Sequence, residues 1–551
     1  MTNLNLIDDP WLPVRGREGE VEYIAPAQVA ADGGRRYHAL AAPRADYNGA
    51  LVQFLVGLLQ TACAPADEKA WQALWEAPPT VAELDTAFRR YANAFRLGGD
   101  GPRFLQDLTL RDGEAKPIAA LLLDAPGEQT TRRNQDHFIK RDTVAGLCPR
   151  CAATALFCLQ TNAPSGGQGH RVGLRGGGPL TTLLVPRAGA ATGLLHTLWL
   201  NVLPAGAFQP EPGQEGAAAI FPWLAPTRTS EKNQKVTPQQ AHPLQMFWGM
   251  PRRIRLDLDN VTTGSCDLCG VESTELLTQY ATRNFGVSYE GWLHVLTPHS
   301  REAADKPLLP AHGQPGGIGF RHWAGIVVAD DEGRGKGRFP ARVVAHAAQS
   351  MARRRIPADV LAFGYDMDNM KARAWVESHL PLFLAEESRQ EEFEEISRQF
   401  VHAANEAFVY LRSMVKGALF GEPVDHQGKV KWDFPPHVSI DTAFFDTLAG
   451  TYWRQGEPLF LARLRALLAY PADEAGDESC KESWLKDLVG LCLRLFDQAV
   501  GGVEEADSRV KAVVYARRQL GGMLHGNPLR KLMYLPEHAG KEAKVKGGKR
   551  G

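Results

Sequence analysis

Four of the eight cysteines fall in two CxxC pairs, Cys148-Pro149-Arg150-Cys151 and Cys266-Asp267-Leu268-Cys269, the second followed by Gly270. A CxxC turn sets two sulfurs close enough to share one tetrahedral metal ion, and two such pairs complete a four-thiolate set with no open position for a water nucleophile. The pairs are separated by 114 residues, more than a zinc ribbon spans. The Zn2+ expected here is therefore structural, a staple between distant segments. A redox role for Cys148 and Cys151, or cysteines without a metal, are the alternatives that the spacing leaves open. Cys63, Cys158, Cys480 and Cys492 sit among apolar residues and are expected to be buried.

Three other segments could do chemistry. In the stretch from Asn162 to Thr182, seven of twenty-one residues are glycine. Gly166, Gly167 and Gly169 would let the backbone approach a groove, phosphate or sugar, while Gly173 and Gly176 to Gly178 read as turns feeding a strand over 180–185. Arg171 and Arg175 could anchor a polyanion there, although a plain surface turn accounts for the first cluster as well. The spacing fits neither a P-loop nor a dinucleotide fingerprint. Asp366 and Asp368, in Gly364 to Trp375, have the spacing of a carboxylate pair holding a divalent cation against phosphates. The same residues also read as the N-cap of a helix continuing through Ala374, or as a loop tip presenting Asn369, Met370 and Lys371 to a minor groove. Finally, Arg132, Arg133, Asn134, His137, Phe138, Lys140 and Arg141 surround one aromatic with basic groups, a pattern suited to single-stranded RNA or to a solvated loop. No GxSxG, HExxH or kinase motif occurs.

The elements that must position these residues belong to a long, ordinary globular chain. Its 551 residues exceed what one core organises, and 44% are hydrophobic and 23% charged. With 62 basic against 63 acidic residues, the net charge of -1 leaves no global attraction to nucleic acid. Any polyanion contact must be a local patch. No apolar run reaches the roughly 18 residues that span a bilayer, and no signal pattern opens the chain, so the expectation is a cytoplasmic protein without a membrane partner.

Short helical and strand-like segments mix over the first two-thirds, which predicts an α+β fold. Helices are expected over 48–62, 81–95, 149–159 and 192–202, and strands over 180–185, 253–258, 325–328 and 360–363. From Glu391 to Phe420 the apolar residues recur every three or four positions, one helical stripe, and further helices are expected over 442–454, 458–470, 483–499 and 508–524. The organisation expected is a mixed domain over 1–377, a helical bundle of about four helices over 378–535, and a disordered basic tail over 536–551.

Together these residues resemble a known family. The opening Asn5-Leu6-Ile7-Asp8-Asp9-Pro10-Trp11-Leu12-Pro13-Val14, the CxxC pairs, Ala163-Pro164 through Gly173-Leu174-Arg175-Gly176-Gly177, and Gly364 to Trp375 are similar in order and spacing to CasA, the large subunit of the type I-E CRISPR surveillance complex Cascade. The resemblance implies a non-catalytic protein that joins other Cascade subunits near the 5′ handle of the guide RNA. It implies that the chain inspects double-stranded DNA for the protospacer-adjacent motif, helps open it for pairing with the guide, and recruits a helicase-nuclease.

By the same resemblance, Ser165, Gly167, Gln168 and Gly169 would lie along the minor groove. Ser165 and Gln168 stand where some relatives have glycine. Asn369, Met370 and Lys371 would form a wedge, without the glutamine of some relatives. Arg283 and Asn284 fall near a lysine finger whose lysine is missing here, which leaves Arg283 as a candidate replacement. Phe138, Ile139 and Lys140 would meet the guide handle, and Cys148, Cys151, Cys266 and Cys269 would bind zinc. The helical domain would contact neighbouring subunits and guide the displaced strand. The rival reading from the residues is a DxD metal enzyme acting on phosphate substrates through Asp366 and Asp368, and a third is a zinc-stapled RNA-binding protein.

Overall fold

The computed structural model describes residues 4–125, 132, 143–166, 169–187, 192–210, 212–333, 335–347, 356–368, 370–426, 429–434, 442–469, 474–501 and 507–538. Two compact units divide the chain, one comprising Met1–Ile318 with Gly325–Leu382, the other Gly319–Ala324 with Phe383–Gly551. The strand Lys371–Pro381 runs through the boundary expected at 377/378, because Ser378 and Leu380 pair with Ala362 and Val360. Of the tail expected over 536–551, residues 539–551 lie outside the described residues.

The first unit is organised around helix Ala45–Cys63, buried on every side from Gly49 to Gln60, as an all-round apolar sequence requires. Its two glutamines are satisfied internally: Gln60, for example, accepts from Leu203 N–H and donates to Leu203 O, both at 2.8 Å. Phe54 on this helix makes edge-on contacts with Trp11, Phe95, Phe104, Phe157 and Trp248 at centroid separations of 5.1 to 5.9 Å. Each such pair contributes ~0.5–1.5 kcal/mol beyond area burial. Trp11 brings the N-terminal segment into this core, where strand Leu12–Gly16 is flanked by Val21–Ile24 and Tyr37–Leu40.

Small sheets surround the core. Thr181–Pro186, Ala358–Asp368 and Lys371–Pro381 form one, and Glu114–Pro117, Gln279–Arg283 and Arg253–Leu256 another. Val261–Ser265 and Glu272–Leu277 form a hairpin. Every ladder between the strands among the described residues is antiparallel, parallel pairing being confined to two isolated bridges, the mark of an α+β rather than a βαβ arrangement.

The second unit contains helices Gln390–Phe420, Thr442–Ala469, Glu474–Val500 and Asp507–Leu524, the short helix Asn527–Leu532, and a hairpin, Glu422–His426 with Lys429–Asp433, that the sequence reading did not find. The helical stripe behaves as its period demands: Phe393, Ile396, Phe400, Ala404, Ala407, Leu411, Met414 and Ala418 are all buried. Phe400 stacks on Trp484, and Trp484 donates its indole N–H to Phe400 O at 3.0 Å.

Three expectations are corrected. The pieces 442–454 and 458–470 form one helix with Pro458 inside it. Proline removes a hydrogen bond and clashes with the preceding turn, at ~3 kcal/mol, but Tyr452, Gly456, Phe460 and Leu464 keep one buried face across it. The strand expected over 325–328 is instead a helical turn, Trp323–Ile326, in which Gly325 has φ +101°. The helix that Asp368 or Asn369 would cap is the second strand of a hairpin. No single helix among the described residues is long and apolar enough to cross a membrane.

Candidate metal centre and nucleic-acid interface

The fold joins the two CxxC pairs that the sequence keeps apart. Cys148 caps helix Pro149–Asn162, with Pro149 at the first position, where its missing N–H has no helical partner to lose. Cys266 to Cys269 occupy the turn between Val261–Ser265 and Glu272–Leu277, closed by the Gly270 N–H to Cys266 O bond of 2.8 Å. Reciprocal main-chain bonds between Leu147 and Leu277, of 3.0 and 2.8 Å, stitch the halves together. Asp267 Oδ2 adds bonds from the N–H groups of Ala145 and Gly146 at 2.7 and 2.8 Å.

All four sulfurs consequently lie within 4.8 Å of one another. Metal–sulfur bonds of ~2.3 Å in a tetrahedron place sulfurs roughly 3.8 Å apart, and the Sγ atoms of Cys148 and Cys269 are 3.7 Å apart. The quartet fits one metal ion and is too open for a disulfide. Bonds from Cys148 and Cys151 hold the Cys266 thiol far below the usual thiol range, and a bond from Cys151 brings Cys269 down to about 6. The same network pushes the other two thiols up, Cys148 to about 12 despite the bond with Cys151, and Cys151 well above the usual range through its bonds with Cys148 and Cys266. Thiolate character at neutral pH therefore rests with Cys266 and Cys269, and a bound cation would draw off the remaining thiol protons. Of the other cysteines, Cys158, Cys480 and Cys492 are buried as expected, but Cys63 is only half-buried, at the C-terminal end of its helix.

The glycine stretch is held at its base, and Ser165 and Gly166 are exposed. Gly173 N–H bonds Ala163 O at 2.8 Å, and Gly166 N–H bonds His170 O at 3.3 Å. Arg252, pushed down to about 10 by burial, donates to Pro164 O beneath the loop. Gly167 and Gln168 lie outside the described residues. Gly169 has φ +79°, and a Cβ there would stand 2.7 Å from Asn284 Cβ and 2.9 Å from Phe285 N, so only glycine fits. Phe285 N–H in turn bonds Gly169 O at 2.7 Å. The structure therefore brings Gly169 against Asn284, with Arg283 exposed at the end of its strand.

The second glycine cluster packs on the 358–381 hairpin. A Cβ on Gly178, at φ +59°, would lie 2.7 Å from Met367 Cγ. The hairpin is anchored deep in the unit: Trp375 stacks on Phe363 and meets Tyr365 edge-on at 5.4 and 5.1 Å. Tyr365 donates its hydroxyl to Asp46 Oδ2 at 2.5 Å, and Arg44 pairs with Asp46 at 2.9 Å. Met370 is 52% exposed at the tip and Lys371 is exposed beside it. Asn369 lies outside the described residues. The hairpin is thus anchored at its base and exposed at Met370 and Lys371.

A third segment, His312 to Pro315, completes this surface, and the sequence reading missed it. Pro164, Ser165 and Gly177 on one side, His312 to Pro315 on another, and Asp366, Met367 and Arg373 on the hairpin enclose a cleft of about 410 Å³. Gly313 bridges Asp366 in parallel pairing. The signal that could have found the segment is its turn-forming run His312-Gly313-Gln314-Pro315-Gly316-Gly317.

Two polar expectations change in the structure. Arg373 donates to Asp366 Oδ1 at 2.7 Å and reaches Asp368 Oδ2 at 3.8 Å. A cation already held between the two carboxylates disfavours the divalent-metal reading of this pair. Arg175 is buried and donates to Thr181 and Thr297 at 3.1 and 3.0 Å and to Gln53. It braces the core and offers no charge to a polyanion. Phe138, Ile139 and Lys140, like Arg133, Asn134, His137 and Arg141, lie outside the described residues.

A sequence model of the family described as CRISPR-associated protein Cse1 matches residues 5–495. Among solved structures, Thermobifida fusca Cse1 matches at 16% identity and TM-score 0.68, covering 96% of this chain and 98% of its own. CasA from Thermus thermophilus matches at 17% identity and TM-score 0.65, covering 95% and 99%. A chain of a CRISPR RNA-guided surveillance complex matches at 16% identity and TM-score 0.59, covering 94% and 100%.

Proposed function

Because the chain belongs to the CRISPR-associated Cse1 family, we propose that it is the non-catalytic large subunit of a type I-E CRISPR RNA-guided surveillance complex. In this reading it sits with the other Cascade subunits and the guide RNA, reads the protospacer-adjacent motif of duplex DNA from the minor groove, helps open the duplex, and recruits the helicase-nuclease. The likeness to a chain of an RNA-guided surveillance complex over nearly the whole length supports the assembly.

The observation that carries the DNA-reading step is the convergence of three separated segments, the glycine stretch, His312 to Pro315 and the 358–381 hairpin, on one cleft. Ser165 lines one cleft with Gly313 and with Asp366, Met367 and Arg373 of the 358–381 hairpin, Gly169 on the same loop meets Asn284, and Met370 is exposed at the hairpin tip. A glycine backbone can enter a minor groove about 6 Å wide, where readout is degenerate and several motifs are tolerated. An unbranched apolar side chain at an exposed tip parts a base step, and the adjacent lysine holds the backbone. Asn369, Met370 and Lys371 serve as that wedge, Gly167 and Gln168 complete the loop, and Arg283 supplies charge at its edge. The guide handle is met by Phe138, Ile139 and Lys140.

Zinc is the metal that Cys148, Cys151, Cys266 and Cys269 would hold, since four thiolates suit it and leave it closed to catalysis. It would contribute stability and tie helix Pro149–Asn162, which leads into the glycine loop, to the 261–277 hairpin.

The wedge is tested with Met370→Ala/Lys371→Ala in the reconstituted complex, using a fluorescent base analogue at the first target pair. Opening of intact duplex is expected to slow about tenfold, since unstacking a step involves a few kcal/mol, while a target already mismatched at that pair binds as in the wild type. Equal opening of intact duplex by the variant and the wild type would remove the hairpin tip from the mechanism.

A further inference from the structure

Arg373 stands at an irregularity in the hairpin. Asp366 pairs with Ala374 and Met367 with Ala372, so Arg373 is the extra residue of a β-bulge and faces no cross-strand partner. Bulges re-aim a side chain out of the regular alternation and cluster beside functional sites. Arg373 lines the cleft that Pro164 and Ser165 also line. There the side chain is 46% exposed, with Asp366 at 2.7 Å, itself 10% exposed, and Asp368 at 3.8 Å, 58% exposed. A guanidinium needed only to brace the hairpin would not require a bulge, nor a second, looser carboxylate at the solvent edge.

The geometry points to Arg373 as a phosphate-binding residue of the DNA-opening surface, held in readiness by Asp366 and released from Asp368 when a DNA phosphodiester takes that carboxylate's place. This rests on the reading that the cleft receives duplex DNA. Arginine suits the exchange because its planar fork binds carboxylate and phosphate in the same bidentate manner. Arg373 follows Lys371 by two residues along the strand, so one DNA strand can be gripped just behind the wedge. A phosphate contact positions the duplex but carries no sequence information. Arg373 therefore raises affinity for every permitted motif alike.

The test measures binding of the reconstituted complex to duplexes with different adjacent motifs across a salt series. Arg373→Gln is expected to weaken all of them by the same factor, about tenfold, and to reduce the salt slope by ~0.9, the value of one phosphate contact. The ranking of motifs stays unchanged. Arg373→Lys keeps the slope and loses part of the affinity, and Asp368→Asn, which loosens the grip on Arg373, tightens binding about threefold. Weaker binding of Arg373→Gln with an unchanged slope would mark a merely structural residue and overturn the proposal. So would unchanged affinity, or no gain with Asp368→Asn. If the wild-type chain itself confers no duplex binding, the functional reading fails with it. If wild-type binding is intact and Arg373→Gln matches it, this proposal alone fails.

Discussion

Replacing Cys266 by serine is expected to release the metal and to lower the melting temperature of the first unit by roughly 5 °C or more. Cys266 is the most enclosed point of the quartet: Cys148 donates its N–H to Cys266 Sγ at 3.3 Å, and Cys266 N–H bonds Val271 O at 3.0 Å. Serine lacks the polarisable thiolate that zinc prefers and leaves three cysteines, which at pH 7 must share fewer stabilising contacts. Structural zinc binds with ~10–16 kcal/mol of apparent free energy in small fingers. In this unit a large core folds around the site, so only a few kcal/mol need be lost, at about 2–4 °C per kcal/mol for a domain of 150–250 residues and less for a larger one. The measurement is metal content per chain with a thermal scan: about one zinc in the wild type, none in the variant, and a lower transition. Equal metal content or an unmoved transition would contradict the staple.

Gly169→Val carries the second large effect. The substitution forces a β-branched residue to φ +79° and sets its Cβ 2.7 Å from Asn284 and 2.9 Å from the Phe285 main chain. A left-handed conformation costs an L-residue ~1–2 kcal/mol, and the clash with main chain cannot be relieved by a rotamer change. Gly169 must therefore move away from Asn284, which breaks the Phe285 N–H bond to its carbonyl and shifts the neighbouring Gly166 and His170. Because each disturbed base-pair contact is worth ~1–3 kcal/mol, motif-dependent duplex binding should fall about 10- to 100-fold. Metal content and guide-RNA assembly should be unchanged, since both depend on other segments. Preserved motif preference in this variant would exclude the loop from recognition.

Much of this architecture was legible wherever one local rule dominated. The three- and four-residue rhythm of Phe393 to Ala418 has no other explanation than one buried helical face, and the structure buries all of it. Cysteine spacing named the four residues that meet, although 114 residues separate the pairs, because a CxxC turn is a chemical signature independent of fold. Where two local readings competed, the sequence could not choose. Asp366 to Trp375 carries cap residues and helix formers, yet it folds as a hairpin because Phe363, Tyr365 and Trp375 pack together as cross-strand neighbours. The opposite failure occurs at Pro458, where tertiary burial overrides a local breaker.

The site itself was legible only in pieces. Its glycine loop and hairpin tip were found as separate motifs, but their meeting depends on long-range pairing, Thr181–Pro186 with Ala358–Asp368, that no local pattern reveals. The role of Arg373 is set by a one-residue bulge, and a bulge leaves no mark in sequence. Arg175 illustrates the reverse error: an arginine among glycines reads as a surface charge, whereas neutral oxygens of Thr181, Thr297 and Gln53 satisfy it inside the core.

The measurement that bears most directly on the central proposal is binding of two target duplexes, identical except in the adjacent motif, to the guide-RNA complex assembled with and without this chain. Preference for one motif that appears only when the chain is present is the predicted result. Equal binding of both duplexes whether or not the chain is present would contradict it.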